Sequence, residues 1–263
     1  MESYSINGGG AVHRFDTGTF NWYVIEQAGR LTLVDAGFPG HYRIFKKGIA
    51  ELGRALSDVE AIILTHAHAD HMGFAEQLRR DTGAPVFIHA ADACKAQRRL
   101  QLPWFGLLSN AWHPYMASIL THATINGVFT MPGIAKLRNI EDGQVLDVPG
   151  KPLVIHVPGH TPGEIALHIP GAELLIAGDA LVTRNLITGK LGDPEVVVPI
   201  LSYDFGQSLR TIDKLRDIGR ATIVSGHGVP WTGMVAEAVT SAQSAGRRGA
   251  IGNRTAVLMG RPD

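Results

Sequence analysis

The chain has 263 residues, 45% of them hydrophobic, and its 24 Lys+Arg balance 24 Asp+Glu. That content supports one domain with a large core, and the charge balance removes any general pull toward nucleic acid or an anionic membrane. A single cysteine, Cys94, rules out intramolecular disulfides and thiolate zinc clusters.

Short apolar runs bounded by glycine or proline alternate with amphipathic stretches. In chain order the pattern predicts strands at 12–15, 22–26 and 31–35, then a helix at 41–52 closed by Gly53. A strand at 61–65, a helix at 72–80 closed by Gly83, a strand at 85–89 and a helix at 91–98 follow. Strands at 145–148, 153–157, 165–169 and 173–177 open the second half. A helix at 205–218 closed by Gly219, a strand at 222–225 and a helix at 234–244 complete it. Strands followed by helices, twice over, fit an α/β sandwich with two sheets face to face and helices outside. The expected domain covers residues 1–245, and a glycine- and arginine-rich tail, 246–263, is expected to be mobile or docked on a neighbouring subunit.

No run reaches the ~18 apolar residues of a membrane span. Met1-Glu2-Ser3-Tyr4 lacks the basic-then-apolar start of a signal peptide, so a cytoplasmic location is expected. Residues 101–135 contain no Asp, Glu, Lys or Arg, yet carry Trp104, Phe105, Trp112, Tyr115 and Phe129. Pro103, Gly106, Asn110 and Pro114 interrupt the segment. It reads as a buried helical insertion, a lid over a pocket, or the contact of a homodimer.

The run Thr65-His66-Ala67-His68-Ala69-Asp70-His71 follows the apolar Ala61-Ile62-Ile63-Leu64. Imidazole nitrogen and carboxylate oxygen suit zinc, and also iron or manganese. Side chains at i and i+2 of an extended segment share a face, so His66 and His68 can address one ion, and Asp70 and His71 a second. Three further strand ends carry one ligand-type residue after a glycine: His160 in Pro158-Gly159-His160, Asp179 after Gly178, and His227 after Gly226. Open α/β sheets commonly place sites at the carboxyl ends of strands.

This pattern resembles the metallo-β-lactamase superfamily over about residues 12–239, and Leu33-Val34-Asp35-Ala36-Gly37 matches the first motif of that family. The resemblance implies a four-layer αβ/βα sandwich with two divalent metal ions, zinc first, iron or manganese as alternatives. It implies that His66, His68 and His160 hold one ion, that Asp70, His71 and His227 hold the other, and that Asp179 bridges them. Asp35 shapes the site in that family. Asp70 is the expected catalytic residue, orienting a hydroxide shared by the metals for attack on a carbonyl. A bridging Asp179 resembles the lactonase and glyoxalase II-like branches. A small-molecule ester, lactone or thioester is therefore the expected substrate, with no nucleic acid or membrane partner. An iron-dependent oxidoreductase and a β-lactam hydrolase are the alternatives. His113 and His122 are candidates for substrate contact, Arg184 and Asn185 for the mouth of the site. His89, His156 and His168 read as packed structural histidines.

Overall fold

Strand periodicity sets the layers. The computed structural model describes residues 1–98, 107 and 109–259, with side chains through residue 247. β1 (Glu2–Ser5), β2 (Ala11–Asp16), β3 (Asn21–Gln27) and β4 (Arg30–Val34) form an antiparallel meander. Helices α1 (Tyr42–Glu51), α2 (Ala69–Met72), α3 (Ala75–Thr82), α4 (Ala90–Gln97) and α5 (Pro114–Ile125) are interspersed with β5 (Val59–Ile63), β6 (Val86–His89) and β7 (Arg138–Ile140). These three strands extend the meander in parallel to seven strands. The second sheet uses β8 (Leu153–His156), β9 (Ile165–Ile169), β10 (Leu174–Ile176), β13 (Arg220–Val224) and β14 (Trp231–Met234), in the order β14-β13-β10-β9-β8. A hairpin of β11 (Val182–Arg184) and β12 (Leu191–Glu195) stands apart. Helices α6 (Phe205–Thr211) and α7 (Val235–Met259) cover the second sheet.

Alternate side chains of a strand point to opposite faces. In β3, Trp22 and Val24 enter the core beneath α1, α3, α4 and α5, while Tyr23 and Ile25 enter the core between the sheets. In β10, Leu174 and Ile176 face the first sheet, and Leu175 faces the layer under α6 and α7. The three cores make a four-layer αβ/βα sandwich, as the repeated strand-and-helix order predicts.

Several boundaries differ from expectation. The helix predicted at 72–80 begins earlier, as α2, and breaks at Gly73 before α3. There the backbone N–H of Gly73 donates to Gly37 O at 2.7 Å, and a Cβ on Gly73 would lie 2.3 Å from that oxygen. The strand predicted at 145–148 is reduced to a single bridge, Val145 to Leu153. Pro149 and Pro152 offer no N–H, and the chain reverses there with Lys151 N–H donating to Val148 O. The helix predicted at 205–218 tightens to 3-10 geometry over Ile212–Ile218. Ile212, Leu215 and Ile218, spaced by three, all pack into the core below, and three residues per turn suits that spacing. α7 carries the backbone helix on to Met259, and Gly246 sits against Leu209 without room for a Cβ. Of the charge-free segment, residues 101–106 and 108 lie outside the described residues.

The parallel pairs β4–β5 and β10–β13 turn their carboxyl ends to one edge of the sandwich. Cross-sheet bonds lock that edge. Tyr23 Oη donates to Ser225 O at 2.6 Å, Asn21 N–H to Gly226 O at 2.9 Å, and Arg14 Nη2 to Gly228 O at 2.7 Å. Ile165 N–H donates to Thr65 O at 3.0 Å.

Candidate metal centre

The chain enters the edge after β5 in extended form, and His68 still has β-region dihedrals as the N-cap of α2. His66 and His68 therefore point the same way. His66 Nε2 lies 3.0 Å from His68 Nδ1, and His160 Nε2 lies 2.9 Å from the same nitrogen. Three imidazole nitrogens thus converge from two sheets.

The first turn of α2 sends Asp70 and His71 to the other side. His227 Nε2 lies 3.3 Å from Asp70 Oδ2, and His71 Nε2 lies 3.7 Å from it. Asp179 stands between the two groups. Its Oδ2 is 3.5 Å from His160 Nε2 and 3.2 Å from His227 Nε2, and its Oδ1 is 3.5 Å from His71 Nε2. The donor atoms fall into three overlapping groups, His66/His68/His160, His66/His71/Asp179 and Asp70/His71/His227, each within a span of 4.8 Å. All seven residues predicted from the sequence meet at this place.

The rear ring nitrogens of His71, His227 and His66 are held separately, whereas that of His160 is buried and makes no hydrogen bond. His71 Nδ1 is 2.8 Å from Asp35 Oδ2, and His227 Nδ1 is 3.0 Å from Thr19 O. His66 Nδ1 pairs with Thr65 Oγ1 at 3.1 Å, with Glu164 Oε2 nearby at 3.3 Å. A partner on the rear nitrogen fixes the tautomer and aims the front nitrogen, as in many metal sites. Asp35 adopts a left-handed φ of 62°, a strained conformation for a non-glycine residue. From there its carboxylate also accepts from Thr65 N–H at 2.8 Å and from Thr65 Oγ1.

Two supporting carboxylates, Glu164 and Asp92, were not singled out in the sequence. Glu164 is fully buried, and its Oε1 accepts from Asp179 N–H at 2.9 Å. Asp92 accepts from Ala67 N–H and from Gly163 N–H, both at 2.9 Å, joining the histidine run to the His160 turn. Gly226 leaves space that a Cβ would take, 2.4 Å from both Asp179 Oδ1 and His71 Cε1. Neither carboxylate belongs to a local motif, whereas Gly226 is the turn glycine that the sequence places before His227.

The donor set fits divalent cations. Five carboxylates, Asp35, Asp70, Asp92, Glu164 and Asp179, gather at one edge, four of them buried. His227 Nε2 and Asp179 Oδ1 are buried and make no hydrogen bond, despite their close neighbours. Burial, reinforced by adjacent imidazoles, holds His66 and His68 well below the ordinary histidine value, which keeps lone pairs free. Burial lowers His160 to about 4, against the pull of Asp179. Burial opposes protonation of His71 and His227 too, but there the carboxylates win. Asp179, Asp35 and Asp70 raise His71, and Asp179 with Asp70 raises His227 to about 10. An arriving cation would replace those protons.

A cleft opens above this centre. His68, Asp70, His160, Asp179 and His227 form its floor. The described part of the charge-free segment forms one wall through Met116, Ile119, Leu120 and Ala123 of α5. His122, a candidate for substrate contact, instead pairs its Nε2 with His41 Nε2 at 2.8 Å. His113 stacks on Trp112. Arg184 donates to Gly189 O and lies over the Tyr115 ring, and Asn185 caps its own turn. Among the described residues, none of these four lines the cleft. His89 and His156 stack at 3.8 Å, as packed structural histidines would.

Residues 17–227 match the family model described as the metallo-beta-lactamase superfamily, and the chain belongs to that superfamily. The probable metallo-hydrolase YflN of Bacillus subtilis (strain 168) is 28% identical over 240 residues, 84% of this chain and 85% of that protein. A hydroxyacylglutathione hydrolase of Cereibacter sphaeroides is 32% identical over 139 residues, 53% of this chain and 39% of that protein. The crystal structure of a metallo-beta-lactamase family protein from Thermus thermophilus superposes with a TM-score of 0.64 at 24% identity, covering 90% of this chain and 79% of that one. Membership and the paired His/Asp groups together support a metal-dependent hydrolase, the class expected from the sequence. Among the described residues, no helix is long and apolar enough to cross a membrane.

Proposed function

We propose that the protein is a dinuclear metal-dependent hydrolase of small carboxylic esters, lactones or thioesters. The observation that carries this reading is Asp179, whose two oxygens reach the histidines of both groups beneath an apolar cleft. In this reading His66, His68 and His160 hold one ion, Asp70, His71 and His227 hold the second, and Asp179 is shared. Zinc suits the set of five imidazoles and two carboxylates. When bound, such ions supply Lewis acidity and a water acidic enough to lose its proton near neutral pH.

The chain's own residues do the rest. Asp35, the hydroxyl of Thr65 and the carbonyl of Thr19 keep three histidine rings from rotating. Asp70, whose side chain is 20% exposed, has its carboxylate at the cleft floor, where it can orient the attacking water and take its proton. The apolar walls exclude bulk water and press the acyl carbon toward the floor. In the net reaction the acyl bond to oxygen or sulfur breaks, the water oxygen joins the acyl carbon, and the water proton ends on the leaving group. The similarity of half the chain to a hydroxyacylglutathione hydrolase is consistent with such acyl chemistry.

The test is a panel of esters, lactones, thioesters, phosphodiesters and β-lactams with metal-defined protein, alongside Asp179→Ala. Turnover of the acyl substrates is expected, and the variant should lose bound metal and roughly 10³-fold in kcat/KM while keeping its circular dichroism. Unchanged turnover in Asp179→Ala would remove the shared-ligand role.

A further inference from the structure

We propose that the preferred substrates are uncharged in their acyl part and carry an apolar acyl chain of several carbons, seated against the inner face of α5. This rests on the hydrolase reading and narrows it.

The first support is the form of the wall. Met116, Ile119, Leu120 and Ala123 follow the spacing i, i+3, i+4, i+7, a single helical stripe, and all four line the cleft. Ile119 also packs against two separate apolar clusters, one under the first sheet and one around Val182, Leu186 and Val197. The stripe is therefore built into the body of the protein and is not a loose surface. Phe20, Phe38, Leu186 and Leu201 add apolar lining, and Thr124 is the one uncharged polar side chain among the described lining residues outside the metal centre. Phe20 packs edge-on to the His227 ring at 5.4 Å and to Phe38 at 4.9 Å, so apolar surface begins at the metal-centre floor.

The second support is the distribution of charge. Apart from the residues of the metal centre, no charged side chain lines the cleft among the described residues. A carboxylate or phosphate at the far end of the acyl group would lose its water and find no cation. Arg184 is turned to Gly189 O and the Tyr115 ring. Lys95 of α4 is close enough to disfavour protonation of His68, yet it does not line the cleft. Substrates whose acyl group ends in a carboxylate or phosphate are the class this lining disfavours.

The experiment uses the metal-loaded full chain and p-nitrophenyl acetate, butanoate, hexanoate and octanoate. Each buried methylene should raise kcat/KM about fourfold until the cleft is filled. The mono-p-nitrophenyl ester of adipic acid matches hexanoate in length but ends in a carboxylate, and should be at least about 100-fold poorer. Leu120→Arg should narrow that gap. Flat kinetics across the series, or an adipate ester as good as hexanoate, would overturn the proposal; loss of such a preference in Lys95→Met would then assign the cation responsible. Binding of alkyl hydroxamates by calorimetry separates this proposal from the reading beneath it. If no ester is hydrolysed but hydroxamate affinity rises with alkyl length, the hydrolase reading fails and the apolar chain site stands. If esters are hydrolysed and hydroxamate affinity is independent of length, the reverse holds.

Discussion

The metal centre and the cleft wall share one opening, but they are held by opposite means. The centre is fixed by directed polar bonds, with Asp35 behind His71, Thr65 Oγ1 behind His66 and a carbonyl behind His227. Its donors come from strand ends of both sheets. The wall is one helix whose inner stripe makes only non-directional contacts. Two polar links anchor its far end: the His41–His122 pair, and Gly40 N–H to Asn126 O at 2.9 Å. Directed bonds hold chemistry to within fractions of an ångström, whereas apolar packing tolerates exchange of similar volumes. One fold can thus keep its reaction and change its substrate by altering one helix.

The sharpest way to break this contrast is to disturb the centre without touching a ligand. Gly226→Ala places a methyl group against Asp179 and His71, and should weaken metal affinity by roughly 10–100-fold, measured by competition with a chelator. Gly192→Ala, where a Cβ meets nothing within 4 Å, is the control. Equal metal affinity in the two variants would mean that the centre yields as readily as the wall.

A second prediction concerns pH at the anchor of the wall. Burial, with His122 adding to it, lowers His41 to about 4 from an ordinary 6.5. Its folded-state proton affinity is depressed, so the unfolded chain binds the proton first as pH falls. The stabilisation is complete above pH ~6.5 and declines toward pH ~4, by about 3 kcal/mol in all. Urea unfolding should show wild type losing more stability across this window than His41→Asn. Parallel losses would show that His41 is not held neutral.

The smallest effect sharpens the comparison. His122→Ala removes one hydrogen bond and should cost about 1 kcal/mol, lowering Tm by about 2–4 °C. Metal content should stay unchanged, and KM for long acyl chains should rise more than kcat falls. A loss of metal would show that the wall and the centre are not separable.

Sequence carried the centre better than its surroundings. The histidine run lies within seven residues, and His160, Asp179 and His227 each end an apolar strand, so local pattern suffices for them. Glu164 and Asp92 act through contacts with residues far away in the chain, and nothing in their immediate neighbours marks them; Gly226 is legible as the turn glycine before His227, but its close approach to Asp179 and His71 is not. The strands that escaped prediction are short or polar. β1 is Glu-Ser-Tyr-Ser, mostly exposed, and β12 contains glycine, aspartate and proline. Their pairing is set by neighbouring strands and not by their own propensity. The break between α2 and α3 likewise depends on the backbone of Gly37, invisible to helical periodicity.

The two bonds of Asp92 have a consequence for how the molecule becomes competent. They span 25 and 71 residues, joining the loop after β5 to the turn before β9. Neither half of the chain alone can present His66, His68 and His160 together. Metal uptake during refolding should therefore lag behind the return of helical signal, timing the moment at which the two sheets dock; uptake in step with that signal would show that the ions are captured before the halves meet.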